Sequence, residues 1–115
     1  MIPKNSLTTG TMEQNRVTTL INAYTVRSDD QQRLVDLLIW ATEKVTSQQE
    51  GFISAKIHKS LDGSRVVNYM QWKSKQAIEK MLKNPRAITY LNDALSIAKL
   101  DGSIYEIVFE NTSTK

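Results

Sequence analysis

Hydrophobic and polar positions change their period several times along this chain. Residues 16–26, RVTTLINAYTV, are rich in β-branched and aromatic side chains and predict a strand. Beyond them the spacing lengthens. Leu34, Leu38, Ala41 and Val45 recur at helical intervals, and Leu37 and Trp40 widen the stripe. Ser28 ahead of this run, with Gln31 three residues on, has the form of a capping box. Asp29 and Asp30 add negative charge to the first turn, where the helix dipole favours it. Gly51 predicts the helix stop.

Two alternating runs follow, 52–60 and 65–73, joined through Asp62-Gly63, a strong short-range hairpin signal. If Ser60 pairs with Arg65, Ile57 faces Asn68, Ala55 faces Met70 and Ile53 faces Trp72. All six then share one face, because side chains alternate along a strand. The other face carries Phe52, Ser54, Lys56 and His58 against Lys73, Gln71, Tyr69 and Val67. A slip of one residue would exchange the faces of one strand, so the assignment depends on the register.

Ser74 is placed to cap a helix over 74–84, with Ala77, Ile78, Met81 and Leu82 apolar. Pro85 marks a boundary, and a further helical piece is expected over 86–98. Asp101-Gly102 reads as a turn before a last strand, 103–111. The element order β-α-β-β-α-β predicts a ferredoxin-like α+β sandwich: a four-stranded antiparallel sheet with helices on one face. The apolar hairpin face should lie under the helices. The open face, with Phe52, Val67, Tyr69 and alternate residues of the first and last strands on it, is expected to bury against a second copy in a C2 homodimer.

The 115-residue length predicts one domain over 16–111, preceded by a flexible tail, 1–15, rich in Thr, Asn and Ser. A net charge of +3 comes from scattered basic residues, and no long Lys/Arg run points to nucleic acid. With no cysteine and one histidine, thiolate chemistry and a multi-histidine metal site in one chain are excluded. No apolar run is long enough to span a membrane, and the N-terminus lacks a signal-peptide core. The expected location is cytoplasmic.

Asn68 is the polar residue on the apolar hairpin face. A buried amide is most often satisfied by nearby backbone. The functional alternative is that Asn68 lines a cavity and hydrogen-bonds a carbonyl or oxyanion, where a fixed dipole acts strongly. Trp72 would then supply an aromatic wall and an N–H donor, or simply pack the core.

The segments Gly51-Phe52-Ile53-Ser54, His58-Lys59-Ser60-Leu61-Asp62-Gly63-Ser64-Arg65 and Asn68-Tyr69-Met70-Gln71-Trp72 resemble the antibiotic biosynthesis monooxygenase family. The resemblance is sharpest over 51–72 and extends through element order over about 16–110. It implies a dimeric α/β-barrel assembly of ferredoxin-like domains. It also implies a cofactor-independent monooxygenase that oxidises a small aromatic or polycyclic phenol or quinol with O2. That chemistry uses no metal or flavin. Asn68 and Trp72 match the family's catalytic residues. Asn22, Tyr24, Ile57, Met70, Ile78 and Met81 are expected to bind substrate. A family Tyr falls near Ile78 and a family Arg near Asn92, and this chain has neither. Tyr90, Arg86 and Tyr24 are candidate substitutes.

A haem-degrading branch of the superfamily uses an Asn on the first strand, matched by Asn22. Its Trp and His fall near Met81 and Leu91, so both are missing. A rival of another class is a non-catalytic dimeric small-molecule-binding or stress-response module on the same scaffold. Lone His58 reads as structural or interface-facing, and Lys56, Lys59 and Arg65 as a solvated rim.

Overall fold

The computed structural model describes residues 17–114. The predicted tail, 1–15, lies outside the described residues. Four strands form one antiparallel sheet: β1 (Thr18–Val26), β2 (Phe52–Lys59), β3 (Arg65–Trp72) and β4 (Ala98–Glu106), in the order β2-β3-β1-β4. Three α-helices complete the fold: α1 (Gln31–Lys44), α2 (Lys75–Leu82) and α3 (Pro85–Leu95). Among the described residues, no helix is long and apolar enough to cross a membrane.

The expected helix-facing row of β3 is buried. Val66, Asn68, Met70 and Trp72 are each at most 4% exposed. From α1, Leu34, Leu38 and Ala41 pack inward, and Val45 follows just after the helix, whereas Trp40 is half exposed. The core has two clusters. Leu20, Val45, Met70, Trp72, Ile78, Met81 and Ala87 form one. Tyr24, Val26, Leu34, Val35, Leu38, Val66 and Ala94 form the other. Each such aliphatic side chain, fully buried, contributes about 1.5–3 kcal/mol.

Local signals set the later helix starts. Ser74 Oγ accepts from the Ala77 N–H at 3.0 Å. Asn84 Oδ1 accepts from the Arg86 N–H at 2.8 Å, and Pro85, which has no N–H to satisfy, opens α3. Ahead of α1 the expected capping box does not form. Residues Ser28–Asp30 make a 3-10 turn with no side-chain cap bond. Gln31 is instead turned under the hairpin. Its Nε2 donates to Ser60 O and to Arg65 O, each at 3.0 Å, satisfying two turn carbonyls.

The hairpin register from Ser54↔Gln71 to Lys59↔Val66 is the expected one, but a bulge intervenes between Phe52 and Ser54. Phe52, not Ile53, therefore pairs with Trp72. Ile53 is 45% exposed, while the Phe52 ring meets the Trp72 ring edge-on at 5.5 Å. One extra residue in β2 reverses the alternation locally, and burying the larger aromatic ring favours that arrangement.

The end of the chain also differs from expectation. α3 stops at Leu95, and β4 begins at Ala98 and ends at Glu106, with Asp101-Gly102 inside it. β4 pairs with β1 from Val26↔Ala98 to Thr18↔Glu106. An unbroken ladder along the whole of β1 outweighs the local turn tendency of Asp-Gly. Residues 107–114 form neither helix nor strand.

Candidate functional site

Along β1, Leu20, Asn22 and Tyr24 point toward the helices. Leu20 and Tyr24 belong to different core clusters, so Asn22 stands at the seam between them. Its Cα partners are Asn68 on β3 and Gly102 on β4. The inward row across the middle of the sheet is therefore Asn68, Asn22, Gly102: two amides and a residue without a side chain.

A cavity of about 350 Å3 lies between β1 and β4 on one side and α2 and α3 on the other. It is lined by Leu20, Asn22, Tyr24, Met81, Leu82, Ala87, Ile88, Tyr90, Leu91, Leu100, Gly102, Ser103 and Ile104. Leu82, Ile88 and Ile104, each roughly two-fifths exposed, form its mouth. This is the size and apolar character of a small-ligand site. Its polar side-chain groups are few: the Asn22 amide and the Tyr24 and Tyr90 phenols. No lining residue is charged.

Both phenols are held in their neutral form. Burial pushes the Tyr24 hydroxyl well above the ordinary tyrosine range, and neighbouring Tyr90 adds to the shift. Burial likewise raises Tyr90, partly offset by its hydrogen bond with Thr46. The Tyr90 Oη and Thr46 Oγ1 atoms are 3.1 Å apart. At neutral pH the two tyrosines are therefore hydrogen-bonding groups and not bases.

Of the expected substrate-binding residues, Asn22, Tyr24 and Met81 line the cavity, whereas Ile57, Met70 and Ile78 do not. Asn68 and Trp72 also stand outside the lining. The cavity is thus one strand over from the position expected beside β3. The central strand β3 is covered by helices, and its inward side chains are large. Edge strand β4 has no side chain at Gly102, and the Asn22 amide occupies that place at the cavity wall. Among the candidate polar substitutes, Tyr24 and Tyr90 reach the cavity and exposed Arg86 does not. Leu100, Gly102 and Ile104 are not among the expected site residues, because Asp101-Gly102 reads as a turn. The apolar alternation of Leu100 and Ile104 was the available signal.

Two buried polar atoms beside this site have no hydrogen-bond partner among the described residues: Asn68 Oδ1 and Trp72 Nε1. Such a group costs about 1–3 kcal/mol when left unmade. Thr19 Oγ1 is a third. His58 is exposed, opposite Val67 on the outer face. The described residues include no group of three or more His, Asp or Glu arranged to hold a metal.

This arrangement can be set beside known proteins. The family model for antibiotic biosynthesis monooxygenase matches residues 18–91. The chain belongs to that family. It is 36% identical over 81 residues to tetracenomycin-F1 monooxygenase of Streptomyces glaucescens, covering 70% of this chain and 72% of that protein. Among solved structures, a monooxygenase of Streptomyces coelicolor in complex with nanaomycin D superposes with a TM-score of 0.78. It is 24% identical, and the match covers 87% of this chain and 95% of that one. SnoaB of Streptomyces nogalater, a cofactor-independent oxygenase, gives a TM-score of 0.69 at 16% identity, covering 87% and 99%. These structural likenesses extend the family's ferredoxin-like fold over the described domain.

Proposed function

We propose that this family member is a cofactor-independent monooxygenase that oxidises a small aromatic or polycyclic phenol or quinol with O2. The observation that carries the reading is the uncharged, largely apolar cavity with an asparagine amide at the seam of the core. In such a site the substrate supplies the electrons. An anthrone-type substrate loses a ring C–H proton to water and becomes an enolate. The Asn22 N–H and the tyrosine O–H groups stabilise its oxygen. Electron transfer to O2 and recombination give a peroxide at that carbon. Loss of water leaves a carbonyl, so CH2 and O2 become C=O and H2O. The apolar walls exclude solvent from the intermediate and hold the ring in place. Asn68, adjacent to Asn22, supplies an open acceptor behind the lining, and Trp72 packs in the core cluster next to it.

The test is oxygen uptake by purified, metal-stripped protein with a panel of anthrones and hydroquinones, against Asn22→Ala and Asn68→Ala. Uptake that depends on both amides supports the reading. Uptake unchanged in both variants removes them from the mechanism.

The second reading is a non-catalytic binding module. The absence of a charged acid or base among the lining residues favours it. Tight binding of an aromatic ligand with no oxygen uptake would establish it.

The protein is further proposed to be a homodimer through the outer sheet face. Ile21, Val67 and Tyr69 are only part-covered there, and Tyr105, Val108 and Phe109 are at least half exposed beside them. Contiguous apolar surface of this kind marks an interaction site. Light scattering at micromolar concentration should give twice 13.1 kDa. A value of 13.1 kDa removes the dimer.

A further inference from the structure

Gly102 touches nothing reactive, yet its lack of a side chain decides where one amide points. A Cβ built on it would overlap Asn22 Oδ1, and the Asn22 Cγ would follow at 3.5 Å. The Asn22 amide therefore lies over the Gly102 α-carbon, toward β4. Its more obvious partner is on the other side. Asn68 is directly opposite Asn22 on β3, and side chains so paired are within reach of each other. Two amides offer complementary donors and acceptors. Even so, Asn68 Oδ1 is buried with no partner among the described residues.

We infer that Gly102 is a positioning residue, whose open slot on β4 holds the Asn22 amide in the cavity and keeps it from pairing with Asn68. The inference rests on the cavity being the substrate site. Two consequences follow from one missing methyl group. The Asn22 amide stays at the cavity wall, where an aromatic substrate's oxygen can reach it. The Asn68 carbonyl stays open beside it. With a side chain at 102, the amide turns toward β3 and the two asparagines satisfy each other.

The obstacle at 102 is the tip of a rotatable amide and not backbone. Alanine is therefore accommodated by turning Asn22, and the β1–β4 ladder persists. Gly102→Ala folds, and its effect is on orientation. It also narrows the cavity slightly, so the test must separate lost volume from a turned amide. Asn22→Ala does this, because a Gly102 effect routed through Asn22 vanishes once that amide is gone.

The first arm needs no ligand. Side-chain amide NMR and a crystal structure of Gly102→Ala should find Asn22 turned and its amide hydrogen-bonded to Asn68 Oδ1. An unmoved Asn22 overturns the inference. The second arm titrates 1,8-dihydroxyanthraquinone by tryptophan fluorescence. Gly102→Ala and Asn22→Ala should each weaken binding about tenfold, the size of one lost hydrogen bond. The double variant should be no weaker than either single one. Multiplying effects, about a hundredfold together, would assign Gly102 to cavity volume alone and overturn it. Oxygen uptake is followed in parallel with the corresponding anthrone, 1,8-dihydroxyanthrone, because the anthraquinone probe has no CH2 left to oxidise. Binding without turnover by the wild-type protein removes the monooxygenase reading and leaves Gly102 its role. If the wild-type protein does not bind the probe, the substrate reading fails, and the ligand-free position of Asn22 alone decides on Gly102.

Discussion

Asn22 and Asn68 are Cα partners across the two central strands, at the seam between two hydrophobic clusters, and the Asn68 carbonyl is unpaired among the described residues. Proteins rarely leave a buried acceptor open without a use for it. Here the opening lies beside a cavity of ligand size on the neighbouring strand. Packing alone would have favoured an apolar residue at position 68, between Val66 and Met70.

Asn68→Leu should therefore separate stability from turnover. Removing an unpaired buried carbonyl is expected to leave the protein equally stable or up to about 2 kcal/mol more stable. Turnover should fall by about tenfold, the size of one lost hydrogen bond from a substrate hydroxyl to that carbonyl. Urea midpoints and oxygen uptake measure the two effects. A strongly destabilised variant would mean that the carbonyl is satisfied in solution.

Trp72 is fully buried and packs edge-on against Phe52. Trp72→Ala should cost about 3–5 kcal/mol, as deletion of a core aromatic does. Trp72→Phe loses no hydrogen bond to a described residue and should cost much less. Turnover of the folded Phe variant then reports what the indole does beyond packing. Wild-type kinetics would confine Trp72 to the core.

Gln31→Ala removes two hydrogen bonds to the hairpin turn and should destabilise by about 1–3 kcal/mol. Ser28→Ala should change stability by only a few tenths of a kcal/mol, since the Ser28 side chain caps nothing. Amide hydrogen exchange should quicken around 60–65 in the Gln31 variant alone. Equal effects of the two substitutions would restore the capping box to solution.

The hairpin turn also carries an acid-sensitive element. Asp62 is held at about 2, chiefly by the Ser64 hydroxyl, then by the Ser64 N–H and the Ser60 hydroxyl. Because the folded value lies below the unfolded one, Asp62 stabilises the fold above pH 4 or so. That contribution is lost as pH falls toward 2. Asp62→Asn should flatten the acid limb of the stability curve over this window. An unchanged acid limb would assign it to other carboxylates.

At the alkaline end the sign reverses. Tyr24 and Tyr90 are raised by burial, so their contribution is complete below pH 10 and is lost as pH climbs beyond it. Ultraviolet titration should find both still neutral at pH 10 in the folded protein. Tyr24→Phe should gain alkaline stability. Ionisation of either phenol near its ordinary value would mean that water reaches the cavity wall more freely than its burial implies.

Much of the fold was legible locally. The Asp62-Gly63 turn with alternation on either side set the hairpin register over Ser54–Lys59. Ser74 and Asn84-Pro85 marked two helix starts through bonds within three residues. The segment 51–72 carried the family resemblance, and the family model matches a span that includes it.

What the sequence by itself decided was whatever depends on near neighbours: periodicity, caps, the turn and the placing of Asn68 on the buried face. Four features needed the tertiary structure. Gln31 left its expected cap for carbonyls on a hairpin it meets only after folding. A bulge exchanged Ile53 for Phe52 because the Trp72 ring was there to receive it. Asp101-Gly102 became strand because all of β1 was available for pairing. The cavity took its wall from β1 and β4 because residues 98–106, far along the chain, came to pair with β1. In each case the deciding energy comes from a partner distant in sequence, and no local pattern carries that information.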